Sequence, residues 1–127
     1  WSSLLSLYKA TAAAMEKALE TNAPRSGLRS VVMAHVSHSY RDGASLYFTF
    51  VFPRDLDREV EQWLAVKRAA SEAIVANGGT ISHHHGIGTD HMPWLIREKG
   101  PVAMELLRAV KRVTDPKGIL NPGKLLE

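Results

Sequence analysis

The sequence predicts an α+β fold in which an antiparallel sheet has helices on one side. Apolar residues recur at three- and four-residue steps in separate segments of the chain, which indicates amphipathic helices. Two β-rich runs lie between the first two of these segments, and the glycine-containing stretch 41–43 between them is typical of a hairpin connection. The order helix, hairpin, helix, irregular segment, helices is that of an α+β domain.

The first predicted helix covers residues 1–23 and ends where Asn22 and Pro24 interrupt the pattern. A loop follows at 24–27, where a proline and a glycine lie close together. The apolar stripe of this helix is expected to face the core and consists of Trp1, Leu4, Leu5, Tyr8, Ala12, Met15 and Leu19.

The two predicted strands cover residues 28–40 and 44–52. The second strand alternates clearly between apolar and polar positions, so its two faces can be assigned. Tyr47 and Thr49 point to the polar side. The apolar side is formed by Leu46, Phe48, Phe50 and Phe52.

The hairpin register decides which side chains of the first strand join the polar face. If the turn is centred on Asp42, His35 and Ser37 lie on the same face as Tyr47. On a regular strand His35 and His38 are three residues apart, so they are expected to face opposite sides. At most one of them then belongs to any single site.

The remaining helices are bounded by capping and breaking residues. A helix is predicted over residues 55–77, with Asp55 as its N-cap and Gly78–Gly79 as its end. Its stripe is Val60, Trp63, Leu64, Ala70 and Ile74. Farther along, Pro93 can start a helix that stops near Gly100, and Pro101 can start another that reaches about residue 114. Residues 115–123 read as a run of turns.

Composition excludes several classes of function. The chain has 127 residues, which suits one domain, and no apolar run is long enough to predict a membrane span. It has no cysteine, which excludes disulfides, thiol nucleophiles and cysteine-type zinc sites. The 16 Lys and Arg residues against 13 Asp and Glu are dispersed rather than clustered, so nucleic-acid binding is not predicted.

The segment 82–91 is the richest in side chains that can do chemistry. In an extended segment His83 and His85 share one side and His84 faces the other. Gly86 and Gly88 allow unusual backbone angles or a close approach to a flat ligand. The histidines could ligate a metal, but their spacing matches no standard zinc pattern, and no metal is predicted.

Tyr47 is the second candidate for chemistry. A phenol on the polar side of a strand can act as a general acid or base when a cation or a flavin lies near it. The alternative is amphipathic packing with the hydroxyl group in water, and residue type alone favours that alternative.

A family resemblance adds to these observations. The segments 82–88 and 90–95 resemble the C-terminal region of the vanillyl-alcohol-oxidase type of FAD-linked oxidases, and most of all their alkyldihydroxyacetonephosphate synthase branch. Residues 34–50 look like the substrate-side hairpin of that family, and residues 115–125 are similar to its closing segment. The resemblance implies that the fold is the ferredoxin-like cap portion of such an oxidase.

Site residues follow from the resemblance rather than from spacing. It implies that Tyr47, His84 and His85 are catalytic, and that Tyr47 and His35 bind the substrate. It also implies flavin contacts from His83, His84, His85 and Asn121. In the synthase branch FAD forms an adduct with the substrate at the flavin N5 atom, and a fatty alcohol replaces the fatty acid on dihydroxyacetone phosphate.

A 2-hydroxy-acid dehydrogenase of the D-lactate or glycolate type is the enzymatic alternative. In those relatives two hairpin histidines and a glutamate can hold a divalent metal. In this sequence His84 stands at the glutamate position and Tyr47 approximately at the second histidine position, which argues against that metal. The non-enzymatic alternative is a free-standing metal- or partner-binding α+β module.

The resemblance also predicts what the chain works with. Residues 1–127 are expected to be a single cap domain of a longer enzyme whose N-terminal FAD-binding domain is its partner. The chain alone is expected neither to hold FAD firmly nor to turn over substrate. The predicted substrate is a small or lipid-like molecule and the predicted location is the cytoplasm. A peripheral position at a membrane and a homodimer are compatible with this prediction.

Overall fold

The computed structural model describes residues 1–126 and contains two compact units, Trp1–Gly79 and a second unit that starts at Thr80. The first unit contains two helices and a two-stranded antiparallel sheet, and the second contains one long, kinked helix. The predicted α+β class is confirmed. The elements are α1 (Leu4–Thr21), β1 (Val31–Ser39), β2 (Ala44–Val51), α2 (Glu59–Ala76) and α3 (Met92–Thr114).

The core of the first unit lies between the two helices and one face of the hairpin. Its centre is formed by Met15, Leu19 and Val66, which are almost completely buried. The partly buried side chains packed against this centre are Ala18, Val32, Phe48, Phe50, Phe52 and Ala70. The apolar face predicted for the second strand is therefore confirmed for its phenylalanines, and α1 and α2 cover that face.

The hairpin contains a β-bulge that the sequence pattern did not reveal. His35 pairs with Tyr47 and Val36 with Leu46, but the next pair is His38 with Ser45, so Ser37 is the additional residue. Paired residues of an antiparallel sheet share a face, and so do residues two apart on one strand. His35 and His38 therefore lie on the same face as Tyr47. The expectation that the two histidines face opposite sides is wrong because the bulge inserts one residue between them.

Helix α1 buries part of its predicted stripe, because Met15 and Leu19 lie in the core and Tyr8 stacks on Phe48. Thr11, Met15 and Leu19 are its buried residues, whereas Leu5 is mostly exposed. Trp1 precedes the helix, and its indole N–H donates to the carbonyl groups of Tyr40 at 3.0 Å and Arg41 at 3.2 Å. Trp1 thus holds the N-terminal end of the chain against the hairpin turn instead of filling the core.

Helix α2 is rotated relative to the first part of its predicted stripe, whereas Ala70 of that stripe packs against the core. Its buried residues are Gln62, Val66 and Ser71, while Val60 and Trp63 are exposed. Apolar side chains occur on both faces of this helix, so periodicity alone does not select the buried one.

The buried face of α2 is marked by Gln62, whose side chain joins three segments. Its Oε1 accepts a hydrogen bond from the Asp55 backbone N–H at 3.0 Å. Its Nε2 donates to the carbonyl groups of Asn22 at 3.0 Å and Pro53 at 3.1 Å. The end of α1, the end of the hairpin and the approach to α2 are thereby fastened to one buried amide.

The predicted N-cap of α2 is wrong. The helix begins at Glu59, Arg58 occupies the N-cap position, and no side-chain cap hydrogen bond forms there. The carboxylate of Asp55 instead accepts hydrogen bonds from the Arg58 guanidinium at 3.1 Å and from the Asp57 backbone N–H at 3.3 Å. These contacts order the loop ahead of the helix rather than its first turn.

Helix α3 consists of two helical halves, as the proline and glycine positions predicted. Gly100 has φ 79° and ψ 166°, which breaks the helix, and Pro101 starts the second half. The core of the second unit is Leu95, Met104 and Leu126, with Ile87 and Leu107 packed against it. Within residues 1–126 no helix combines the length and the apolar character needed to cross a bilayer.

The end of α3 is held by the buried carboxylate of Asp115. It accepts backbone N–H bonds from Ile119 and Leu120, both at 3.0 Å, and a hydrogen bond from the Lys111 ammonium group. The bond from Lys111 is the largest cause that lowers the pKa of Asp115; burial opposes it, and the two backbone donors lower the pKa further. The predicted run of turns after residue 114 therefore begins with an ion-paired loop.

Candidate functional site

Two predicted site residues meet on the exposed face of the hairpin. His35 and Tyr47 are directly opposite each other in the register, and their ring centroids are 5.4 Å apart with planes inclined by 26°. Tyr47 as a residue is 48% exposed, so this pair of rings lies at the surface of the hairpin. The structure brings together the two residues that the resemblance assigned to substrate binding.

His38 joins this face, although it was not among the predicted site residues. Its Nδ1 lies 3.0 Å from the hydroxyl oxygen of Ser37 and 3.4 Å from that of Ser45. Its ring stacks on Tyr40 with centroids 6.3 Å apart. We call the surface formed by His35, His38, Ser45 and Tyr47 the sheet face.

The three consecutive histidines lie in the second unit, in an irregular segment that we call the histidine loop, residues 82–88. His84 has φ 63°, in the left-handed region, so the loop is not extended at this point. The rings of His83 and His84 consequently stack with centroids 3.9 Å apart. The expected alternation, with His84 opposite its two neighbours, is wrong because it assumed an extended backbone.

Side-chain and backbone hydrogen bonds fasten the histidine loop to the rest of the second unit. The Ser82 hydroxyl group donates to the Gly86 carbonyl at 2.6 Å, across the base of the loop. The Glu98 carboxylate accepts from the Ile81 backbone N–H at 2.7 Å, and the Leu125 N–H donates to the Gly88 carbonyl at 3.1 Å. Ser82 belongs to the predicted segment 82–91 but was given no role there, and Glu98 was not predicted, because nothing local distinguishes it from a surface residue.

Asn121, the fourth predicted flavin contact, lies in the turns after α3. It is exposed, has φ 44°, and its carbonyl oxygen accepts a hydrogen bond from the Lys124 N–H at 3.2 Å. Asn121 is therefore a turn residue in the structure, and its contact with a cofactor stays a prediction.

The two groups of residues offer proton transfer and hydrogen bonding. A phenol and imidazoles can each donate and accept hydrogen bonds. The donors of the histidine loop are of a kind that can contact a planar, hydrogen-bonding group such as the ring system of FAD. His84 and His85 are exposed, and a Cβ placed on Gly86 or Gly88 would meet nothing within 4 Å, so the backbone there is open to a flat ligand.

A concavity of the first unit lies away from these residues. A cavity of about 530 Å³ opens between α1 and α2 and is lined mostly by alanines. None of the predicted site residues lines it, and it offers few polar groups to orient a ligand. It therefore carries no functional assignment.

Comparison with known proteins identifies the relatives of the chain. The family model described as FAD linked oxidases, C-terminal domain, matches residues 1–125. The chain is 36% identical over 113 residues to an alkyldihydroxyacetonephosphate synthase of Trypanosoma brucei brucei, a match that covers 89% of the chain and 18% of that protein.

Two further relatives extend this picture. An alkyldihydroxyacetonephosphate synthase of Caenorhabditis elegans is 34% identical over 130 residues, which covers 100% of the chain and 21% of the relative. A probable mitochondrial D-lactate dehydrogenase of Danio rerio is 36% identical over 75 residues, 59% of the chain and 15% of the relative. The chain thus spans about a fifth or less of the length of these relatives.

Proposed function

The chain belongs to the family of FAD-linked oxidase C-terminal domains, and from this premise we propose that the whole protein is an FAD-dependent enzyme of the alkyldihydroxyacetonephosphate synthase type. Its reaction would exchange the acyl group on dihydroxyacetone phosphate for an alkyl group. The observation that carries the proposal is the exposed phenol of Tyr47 against the imidazole of His35. The synthase relatives also match 79–100% of the chain, against 59% for the D-lactate dehydrogenase of Danio rerio.

In this proposal the residues of the sheet face handle the substrate. In its deprotonated form the Tyr47 phenol takes a proton from the substrate carbon that bears the acyl group, and the resulting neutral phenol returns the proton after the exchange. His35 lies against the phenol ring, so it orients the phenol and offers a ring nitrogen to a polar group of the substrate. The backbone need not move for the phenol and the imidazole to act together, because the paired strands fix the two residues opposite each other.

The histidine loop is assigned to the flavin side of the reaction. FAD, when bound, supplies the electron-poor ring that activates the substrate. His83, His84 and His85 would contact it, and the exposed rings of His84 and His85 would donate hydrogen bonds to polar groups near the reacting carbon. Asn121 is proposed as a further contact from the turns after α3.

A 2-hydroxy-acid dehydrogenase is the second candidate function. The specific observation in its favour is that the bulge places both His35 and His38 on one face, since two imidazoles are a common start of a metal site. The side chain next to them is Tyr47, in the position of a third metal ligand. A phenol is a less common metal ligand than a carboxylate or an imidazole. The synthase assignment therefore stays first.

The test is an activity comparison on the full-length protein supplied with FAD. One assay follows exchange of a long-chain alcohol into acyl dihydroxyacetone phosphate, and the other follows oxidation of D-lactate and glycolate with an artificial electron acceptor. Activity in the first assay alone supports the proposal. Activity in the second assay that requires added Zn²⁺ or Mn²⁺ and disappears in His35→Ala replaces it with the dehydrogenase.

The variant Tyr47→Phe tests the role of the phenol. We expect the exchange rate kcat to fall by about 10²–10⁴-fold, the usual contribution of a positioned acid or base. Tyr8→Phe is the matched control, because Tyr8 carries the same hydroxyl group but its ring stacks on Phe48 of the opposite, core-facing side of the hairpin. Equal rates in the Tyr47→Phe variant and the wild type would remove Tyr47 from the mechanism.

The remaining partners are proposed at the level of chemistry. The domain is the C-terminal part of an FAD-linked oxidase, so an N-terminal FAD-binding domain is its implied partner. We propose a lipid-like substrate and a cytoplasmic enzyme that associates peripherally with a membrane. Co-sedimentation of the full-length protein with vesicles, released by high salt without detergent, supports this location; recovery only in the supernatant at low salt contradicts it.

A further inference from the structure

We propose that Ser82 and Glu98 are positioning residues that hold the histidine loop in the conformation in which the rings of His83 and His84 stack. The proposal deepens the function proposed above, because that function assigns the loop to the flavin side of the reaction. The assignment of these two residues rests on hydrogen bonds within the second unit and on the backbone angle of His84.

The loop conformation needs external support at His84. Its φ of 63° lies in a region that residues with a Cβ rarely occupy, and histidine enters it more often than most but still at a cost. A residue in such a conformation persists when the surrounding structure determines it more strongly than its own preference. The stacking of His84 on His83, with ring centroids 3.9 Å apart, depends on this angle.

Ser82 supplies one part of that support. Its hydroxyl group donates to the Gly86 carbonyl at 2.6 Å and so closes the loop around the three histidines. His84 lies midway between the two bonded residues. Because the bond fixes the separation of residues 82 and 86, it limits the backbone angles available to residues 83–85.

Glu98 supplies the other part from the first half of α3. Its carboxylate accepts from the Ile81 N–H at 2.7 Å, and its side chain is only 12% exposed. A hydrogen bond to a charged and largely buried carboxylate is stronger than one between neutral groups. The residue immediately before the loop is thus anchored to a helix, which gives Ser82 a fixed starting position.

The two residues act on the loop without forming the core of the second unit. That core is built from Leu95, Met104 and Leu126, and Ile87 at the far end of the loop packs against it. Removing the Ser82 hydroxyl group therefore leaves both the core and the attachment of Ile87 in place. The expected consequence is a histidine loop that samples several conformations in a unit that stays folded.

The first experiment uses serine variants of the full-length protein. In Ser82→Ala we expect the ring signals of His83 and His84, observed by ¹H–¹⁵N NMR with ¹⁵N-labelled histidine, to shift or broaden. We expect kcat to fall by up to about a hundredfold with KM nearly unchanged, since small misplacements of catalytic groups have effects of this size. Ser82→Thr retains the hydroxyl group and should restore both readouts.

Matched controls separate positioning from general loss of a hydrogen bond. Ser6 also donates its hydroxyl group to a backbone carbonyl, that of Ser3 at 2.8 Å, so Ser6→Ala should change neither readout. Glu98→Gln keeps an oxygen acceptor for Ile81 but loses the charge and the ion pair with Lys99, so its effect should be smaller than that of Glu98→Ala, which should resemble Ser82→Ala. Glu105→Gln removes the charge of an exposed ion pair on the same helix and should have no effect.

The outcomes distinguish the positioning role from the proposed function. Absence of FAD binding and of exchange activity would contradict the proposed function, while the NMR signals would still report on the loop. Unchanged histidine signals in Ser82→Ala and Glu98→Ala would overturn the positioning role even in an active enzyme. A loss of activity that parallels a lower Tm and is not restored by Ser82→Thr would also overturn it.

Discussion

The sheet face and the histidine loop both carry predicted site residues, but they are held in different ways. On the sheet face, His35 and Tyr47 lie opposite each other because the two strands pair along their length. The pairing runs from Val31 with Val51 to Ser39 with Ala44. In the histidine loop, the position of His84 depends on a left-handed backbone angle and on hydrogen bonds from single side chains. The first arrangement is distributed over a ladder, whereas the second includes single side-chain hydrogen bonds of Ser82 and Glu98.

This difference predicts how each region responds to substitution. Loss of one contact on the sheet face leaves the backbone ladder intact, so the geometry of Tyr47 changes only when the register or the supporting core changes. Loss of one contact at the histidine loop changes the geometry of the loop directly. A site on regular secondary structure therefore tolerates the substitution of single residues. A loop held by side-chain hydrogen bonds tolerates it less but allows unusual ring arrangements such as the His83–His84 stack.

The strongest way to break the sheet face is to remove the buried amide that fastens its supporting frame. Gln62→Leu keeps the side-chain volume similar but leaves the Asp55 N–H and the carbonyl groups of Asn22 and Pro53 without their partner. We expect the first unit to lose about 3 kcal/mol of stability, since an unsatisfied buried group costs roughly 1–3 kcal/mol. Hydrogen–deuterium exchange of peptides from α1, the hairpin and α2 measures this loss.

A neighbouring substitution is the control for Gln62→Leu. Glu61 is exposed on the same helix, so Glu61→Leu introduces the same side chain without removing a buried hydrogen bond. It should change the free energy of opening, as measured by hydrogen–deuterium exchange, by no more than about 0.5 kcal/mol. Similar effects of the two substitutions would mean that Gln62 does not join the three segments.

The sequence allowed the hairpin to be predicted more fully than the helix faces. Alternation along β2 correctly separated Phe48 and Phe50 from Tyr47, because a strand with one buried face must alternate. The buried face of α2 was not predictable in the same way, since Val60 and Trp63 are apolar but exposed, and the buried Gln62 is polar. The buried face of α2 is instead marked by the hydrogen bonds that Gln62 forms with other segments of the chain.

The bulge had a signal in the sequence that alternation alone did not use. A four-residue connection after Ser39 pairs it with Ala44, and a regular ladder from that point would place His35 opposite Phe48, on the apolar face. The apolar pattern instead requires His35 opposite a polar position of β2, and the structure meets this requirement at Tyr47 by inserting one residue, Ser37. The φ of His84 has no comparable signal, because the hydrogen bonds proposed to support it, from Ser82 to Gly86 and from Ile81 to Glu98, do not follow from an alternation pattern.

A weaker way to break the second unit is to neutralise Asp115, which orders the chain between α3 and Leu125 at the histidine loop. Because its pKa is lowered in the folded protein, chiefly by the Lys111 hydrogen bond, the unfolded chain binds its proton first as pH falls. Its stabilising contribution is complete above the unfolded value of about 3.9, decreases below it, and is lost once pH falls through the folded pKa. Exchange of the peptide 111–126 should accelerate in that window.

Asp115→Asn tests this assignment. The amide keeps the size of the side chain but loses the charge, so exchange of the same peptide should be faster at neutral pH and should no longer depend on this titration. Asp42→Asn, in the exposed hairpin turn, is the control and should leave the second unit unchanged. A pH dependence that persists in Asp115→Asn would assign the acid sensitivity to another group.

The smallest expected effect sharpens the comparison at the bulge itself. Deleting Ser37 converts the bulge into a regular ladder in which His38 still lies opposite Ser45 and His35 opposite Tyr47. Because Ser37 is exposed, the stability of the hairpin should change by less than about 1 kcal/mol. Deleting Met33, which is also exposed, should cost more, because it turns the inward-facing Val32 to the outer face. Nuclear Overhauser contacts between the rings of His35 and Tyr47 should survive the first deletion; their loss would show that the bulge, and not the ladder, holds the sheet face together.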